Sequence, residues 1–292
     1  MTCTLCGGAN IKKEFDAYNR HGRHTFDKND EFKICRCLGC GVVFVCGMTL
    51  DDAYYAAYYP KGYYENGSPH GALYQLIKRY MKWSFDVKKR LILKYLRHTS
   101  QNKIRILDVG CGSGAFLNAL QDERFEKYGV ELNPDGYKSC LEKKINVKNC
   151  DLKNVDFEDD FFDVITLWHV VEHLQNPFDT MPLVAKKLKE DGILILATPN
   201  IASLGYKWGK EAWFHLDAPR HVVLYDQKNI RLLLQCSGFD VIKETRSLLD
   251  YPLDLFWSLA ESPLRFLVYP LYPFFKMADV ETMMLVCKRI KS

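Results

Sequence analysis

The 292-residue sequence has no apolar run of the roughly 20 residues that a bilayer-spanning helix needs, so no membrane span is expected. Its start, MTCTLCGG, lacks a basic segment followed by an apolar one; no secretory signal is expected, and a cytoplasmic, reducing location is. It also lacks any block of like charge. Net charge is +4, and the lysines are scattered in pairs such as Lys88-Lys89, Lys143-Lys144 and Lys186-Lys187. Charge alone therefore gives a nucleic-acid partner no signature. Repeats and low-complexity tracts are missing, and 48% hydrophobic with 26% charged residues excludes a disordered chain or a fibre. The length suits one sizeable domain with a small appendage.

Cysteine, by contrast, is plentiful. Eleven are present, six of them in the first 46 residues. In a reducing compartment such a group is expected to bind metal and not to form disulfides. Cys3-x2-Cys6 and Cys37-x2-Cys40 are each followed by a glycine, Gly7 and Gly41, which permits the tight turn of a thiolate-bearing knuckle. Two such turns facing each other make a closed, structural four-thiolate zinc site. Cys35 and Cys46 are left over. The alternative is a set of free buried cysteines.

Three zones follow: a zinc-ribbon module over 1–50, a tyrosine-rich linker and amphipathic helix over 51–100, and a main domain over 101–292. The helix is read from Leu73, Leu76, Ile77, Tyr80, Met81, Val87, Leu91 and Tyr95 at near-helical spacing. From Lys103 strands and helices alternate. Strands are expected at 104–109, 127–132, 145–149, 162–168, 192–198, 239–245 and 282–288, and helices at 113–122, 134–143, 177–190 and 226–237. Asp226 is placed as an N-cap and Gly238 just past the helix end. This alternation predicts an α/β fold, a doubly wound and mostly parallel sheet.

The stretch ILDVGCGSGAF, residues 106–116, ends a strand in Asp108 and turns through Gly110, Gly112 and Gly114. The spacing is G-x-G-x-G, unlike the G-x-G-x-x-G of dinucleotide binders. A carboxylate at the strand end repels phosphate and suits a cationic ligand. Glu131 ends a second strand, where an acid can accept both hydroxyls of a ribose. Asp151 follows a third, where it can accept from an adenine amino group.

Together these features resemble the class I S-adenosylmethionine (SAM)-dependent methyltransferases over residues 80–245 and the final strand. The resemblance implies a seven-stranded Rossmann-like sheet and SAM as cofactor. It assigns the methionine part to the turn Gly110–Gly114, the ribose to Glu131 and the adenine to Asp151 with Leu152; Asp108, Cys111, Gly112, Leu132 and Trp168 complete the expected cofactor-binding set.

LWHVVEHLQNP brings His169, Glu172 and His173 to the end of the fourth strand of this sheet, similar to ubiquinone-type O-methyltransferases, which carry a Glu-His pair there. A neutral histidine can take a proton from an acceptor hydroxyl, or Glu172 and a histidine can hold a divalent metal that polarises the acceptor oxygen. The alternative is a turn that only orders the loop. The loop WFHLDAPRHVVLYD adds His215, Asp217, Arg220 and His221, with His221 as a second candidate base and Arg220 as a candidate for binding an anionic acceptor group. PRH segments similar to this one occur in the same broad group of methyltransferases.

The cysteine module and the run YYPKGYYENG resemble the N-terminal part of bacterial sugar and polysaccharide-biosynthesis methyltransferases. Tyr58, Tyr59, Tyr63 and Tyr64 are expected either to close over the cofactor or acceptor, or to serve as packing. The long segment 246–279 is apolar, broken by Pro252, Pro263, Pro270 and Pro273, and carries Asp254, Glu261 and Arg265. It is expected to bury its apolar side in protein, the alternative being peripheral membrane contact over 251–276 near a lipid-linked acceptor. The resulting expectation is a SAM-dependent methyltransferase acting on a sugar, nucleotide-sugar or lipid-linked glycan. An RNA methyltransferase and a non-catalytic SAM- or zinc-binding module are the rivals.

Overall fold

The computed structural model describes residues 2–19, 30–59, 72–96, 103–246, 251–260, 262–278 and 280–290. The N-terminal part forms β1 (Ile11–Tyr18), β2 (Glu31–Cys37), β3 (Val43–Val45), α1 (Asp52–Tyr58) and α2 (Ala72–Tyr95). Alternation then runs β4 (Ile104–Val109), α3 (Ala115–Ala119), β5 (Phe125–Val130), α4 (Pro134–Glu142), β6 (Asn146–Lys148), β7 (Phe162–Trp168), α5 (Pro177–Lys187) and β8 (Leu188–Pro199). It continues with α6 (Leu204–Gly209), β9 (Val223–Leu224), α7 (Gln227–Cys236) and β10 (Phe239–Arg246), then α8 (Asp254–Ser258), α9 (Arg265–Val268), α10 (Tyr272–Ala278) and β11 (Thr282–Arg289).

The main sheet has seven strands in the order β10-β11-β8-β7-β4-β5-β6. β5, β4, β7 and β8 are parallel neighbours, β6 runs parallel to β5, and β11 is antiparallel to both β8 and β10. This is the doubly wound, mostly parallel α/β sheet that the alternation predicts. The chain leaves β4 outward to β6, then returns through β7 on the other side. The order therefore reverses between β4 and β7, where such sheets open a ligand crevice. Apolar runs in β4, β7 and β8 (Ile106, Leu107, Val164, Ile165, Leu194, Ile195) are fully buried because helices cover both faces.

Element limits follow local chemistry. Asp226 and Asn229 form a capping box that starts α7, and Gly238 follows its end at φ +86°. The helix expected over 113–122 is shorter, because Gly114 at φ +71° acts as its N-cap. The helix expected to reach 190 stops at Lys187, where Leu188 already pairs with Phe162 in the sheet. Among the described residues no helix is long and apolar enough to cross a membrane.

A second, antiparallel sheet has the order β1-β2-β3-β9. Its last strand comes from the 201–224 segment of the main domain, with Val43 opposite Leu224 and Phe44 opposite Val223. One expectation is corrected here. Cys35 and Cys46 are disulfide-bonded, because the antiparallel pairing of β2 with β3 brings their Cα atoms to 6.0 Å.

Candidate active site

Three strand ends converge on the crevice. Asp108 on β4 is 3% exposed and accepts a 2.6 Å hydrogen bond from the Thr166 hydroxyl on β7. Burial pushes this carboxyl up to about 7, against the Thr166 bond and the charge of Lys88. The chain then turns through Gly110, Gly112 and Gly114, at φ +66°, +54° and +71°. A Cβ on Gly110 would stand 2.8 Å from a Val170 methyl, so both conformation and space require glycine there. Glu131, one residue past β5, accepts from the Gly112 N–H at 2.7 Å and the Asn133 N–H at 2.8 Å. Burial raises its pKa, and those two bonds oppose the rise. This carboxylate therefore braces the glycine turn. Cys111 is buried, with its sulfur 3.6 Å from that of Cys140, whereas Leu132 is 52% exposed. Asp151 caps the 3-10 turn Leu152–Asn154 by accepting from the Asn154 N–H at 3.0 Å, and Leu152 is buried.

Beyond Trp168 the chain passes through His169 at φ +55° into a 3-10 turn, Val171–His173. Glu172 is fully buried. One of its oxygens lies 3.2 Å from His169 Nδ1, and the other accepts from the Thr198 hydroxyl on β8 at 3.0 Å. Burial pushes Glu172 up, but the His169 bond and the charges of His169, His221 and His173 outweigh it and hold the carboxyl at about 2.

His173 Nδ1 is 2.8 Å from the Arg220 carbonyl, and His221 Nδ1 is 2.7 Å from the His215 carbonyl. A carbonyl can only accept, so Nδ1 carries the proton in both rings. In the neutral ring Nε2 then keeps the lone pair. The two rings meet edge to face at 4.7 Å. Burial, with His173 adding to it, lowers His221 to about 4, which keeps this imidazole neutral near pH 7.

Several neighbours carry no motif of their own. Tyr59 Oη is 3.0 Å from His173 Nδ1, and Tyr54 donates to the Pro219 carbonyl at 3.3 Å. Lys88 is buried on α2 with its ammonium 4.3 Å from the Trp168 ring centre. A trace of Lys88 is visible in the sequence, since Ser84 and Lys88 interrupt the apolar stripe between Tyr80 and Leu91. Both line a cavity of about 260 Å³ with Tyr80, Trp168, His169 and Tyr251. Arg220 does not face an open anion site. It is buried and held by Asp217 at 3.0 and 3.1 Å and by Asn19 at 3.2 Å. His215 is buried against Asp254 at 3.2 Å. Tyr63 and Tyr64 lie outside the described residues.

The four N-terminal cysteines are brought together as the spacing predicts. Cys3 and Cys40 sulfurs are 3.6 Å apart, those of Cys6 and Cys37 3.5 Å, and all four lie within 4.8 Å of one another. A tetrahedral ion with sulfur ligands at about 2.3 Å needs sulfurs roughly 3.8 Å apart, so the donor set fits zinc.

A family model described as a methyltransferase domain matches residues 78–244, more than half of the chain. The chain belongs to the methyltransferase domain family. As a methyltransferase it is 27% identical over 124 residues to the ubiquinone biosynthesis O-methyltransferase of Rickettsia typhi, across 39% of this chain and 48% of that protein. It thus spans about half the length of that curated relative. Its fold is shared with a mycolic acid cyclopropane synthase, at a TM-score of 0.51 and 18% identity over 70% of this chain and 83% of that one. It is also shared with a geranyl diphosphate C-methyltransferase from Streptomyces coelicolor A3(2), at 0.50 and 14% over 77% and 86%. These likenesses establish the methyltransferase as a class I, Rossmann-like fold.

Proposed function

We propose that the chain transfers a methyl group from SAM to a hydroxyl or carbon of a small-molecule acceptor, a sugar, nucleotide-sugar or lipid-linked glycan intermediate. The observation that carries a hydroxyl acceptor is the His173–His221 pair. Two imidazoles 4.7 Å apart, His173 just past β7 and His221 just before β9, each have Nδ1 committed to a carbonyl. SAM, when bound, supplies a methyl group on a cationic sulfonium. The buried carboxyls of Asp108 and Glu131 and the glycine turn suit a cation without phosphate. On this reading Gly110–Gly114 hold the methionine part, Glu131 the ribose, and Asp151 with Leu152 the adenine.

Nε2 of His173 or His221 would take the acceptor proton as the methyl arrives, and buried Glu172 would offset the resulting imidazolium charge. Holding both reactants in line supplies much of the rest. The printed name of the Rickettsia typhi relative, an O-methyltransferase, supports an oxygen acceptor. A metal-assisted variant has its own observation: donor atoms of Glu172, His173 and His221 lie within 4.8 Å of one another, so a divalent ion there could polarise the acceptor oxygen.

Cys3, Cys6, Cys37 and Cys40 would hold a structural zinc in a ribbon spanning 1–50, joined by the 51–100 segment to the main domain at 101–292. Cations of the ribbon are partly neutralised, Arg36 by Glu14 and Lys13 by Asp16, which supports a small acceptor over RNA. The test is release of S-adenosylhomocysteine on incubation with SAM and a panel of sugar, nucleotide-sugar, polyprenyl-linked and RNA acceptors. Turnover only with RNA would overturn the small-molecule reading, and none with any acceptor would favour a binding module.

A further inference from the structure

The helices α8, α9 and α10 are apolar on two sides. Their inner side, with Leu255, Leu259 and Val268, packs on Leu204 and Trp208 of α6. Asp254 pins this layer from beneath by holding His215 at 3.2 Å and Lys276 at 2.5 Å. The outer side remains uncovered. Nine of the 20 exposed large apolar side chains among the described residues fall between Tyr251 and Met277, including Trp257 at 53%, Phe266 at 73%, Leu267 at 63%, Phe274 at 68% and Met277 at 69%. That concentration on one layer exceeds the scattered exposure normal for a protein surface.

Among the described residues 251–278 the charged groups that are not buried have one sign. Among described residues 251–278 the only carboxylate is Asp254, and it is buried; Glu261 lies outside the described residues. Two arginines touch the apolar face, and an exposed lysine lies on the helix beneath it. Arg265 stands over the Phe266 ring at 4.8 Å, exposed Arg246 donates to the Met277 carbonyl at 2.7 Å, and Lys207 is exposed on α6. The face also runs into the cavity mouth, because Tyr251 and Met81 are both exposed and both line that cavity. A protein seated there would cover the mouth, whereas a bilayer would present its own contents to it.

We infer that the α8–α10 face docks on an anionic phospholipid surface. Phe266, Leu267, Phe274 and Met277 enter the headgroup–acyl boundary, and Arg246, Arg265 and Lys207 meet lipid phosphates. The helices are four to seven residues long and lie in the interface without crossing it. Attachment itself does not depend on the methyltransferase reading; delivery of a lipid-linked acceptor to the cavity does.

The test is co-sedimentation of the full chain with vesicles of equimolar phosphatidylglycerol and phosphatidylcholine, beside pure phosphatidylcholine, with SAM affinity measured calorimetrically on the same preparations. Wild type should pellet with the anionic vesicles and be released by salt. F266D/F274D should lose at least about tenfold in partitioning, because two apolar anchors are removed from the interface, with SAM affinity unchanged. R265E should weaken anionic binding alone. Wild type staying in the supernatant overturns the inference. So does equal binding to both vesicle types, or a wild-type dimer that F266D/F274D converts to monomer without any vesicle binding. Failure of SAM binding with intact vesicle binding would count against the proposed activity and leave the docking face standing.

Discussion

Tyr59 Oη lies 3.0 Å from Nδ1 of His173, so the end of α1 reaches the turn that follows β7. The two residues are 114 positions apart. The contact brings the C-terminal end of α1 to the candidate site and sets Tyr59 beside the imidazole.

Replacing the base should separate chemistry from cofactor binding. Whichever of His173 and His221 takes the proton, its alanine variant should lose about 10²–10⁴-fold in kcat with SAM affinity near wild type. Tyr59→Phe should lower kcat far less, because the Arg220 carbonyl still orients His173. Glu172→Ala should match the base variant if a metal is used, and chelator should then inhibit reversibly. Full turnover in all of these variants on the true acceptor would remove the hydroxyl-base reading.

Glu131→Ala removes the acceptor of the Gly112 and Asn133 N–H groups as well as the proposed ribose partner. SAM binding should weaken by roughly 1.5–3 kcal/mol, the usual worth of a charged hydrogen-bond partner. Calorimetric titration reads this directly, and equal affinities would place the ribose elsewhere.

Asp108 should make both stability and SAM binding depend on pH. Its pKa is raised from 3.8 to about 7 by burial, so the fold holds a proton that the unfolded chain releases. Such a group loses stability for the fold as pH rises through that window, and the loss is complete above about pH 7. A bound cation reverses the cost. The thermal shift given by SAM should therefore grow from about pH 5 to about pH 8 in wild type and stay flat in Asp108→Asn. A flat wild-type profile would show that the sulfonium and amino group lie away from Asp108.

Metal analysis of protein prepared without chelator should find about one zinc per chain. Cys37→Ser should release it. Because β9 pairs with β3, the damage should reach Val222–Leu224 and the adjacent His221, so turnover should fall even though the seven-stranded sheet stays folded. Zinc loss with unchanged turnover would mean that β9 holds its place without the ribbon.

Much of the main sheet was legible in the sequence because its signals are local. A strand buried on both faces must be an apolar run, a left-handed turn such as Gly110 needs glycine, and Asp226 and Gly238 mark the ends of α7 through their own backbone bonds. Two Cys-x2-Cys pairs likewise dictate where four sulfurs can meet. What the sequence could not state was which distant segments would touch. The stretch WFHLDAPRHVVLYD read as a loop, yet Val223 and Leu224 within it complete the small sheet, and Cys35 pairs with Cys46 only because β2 lies against β3. Arg220 read as an anion ligand until Asp217 and Asn19 closed around it. Lys88 left only a break in an apolar stripe and Tyr59 only a place in a tyrosine run, and neither signal says what the side chain touches. Their positions depend on how α1 and α2 lie across the strand ends, and long-range packing, not local propensity, decides that.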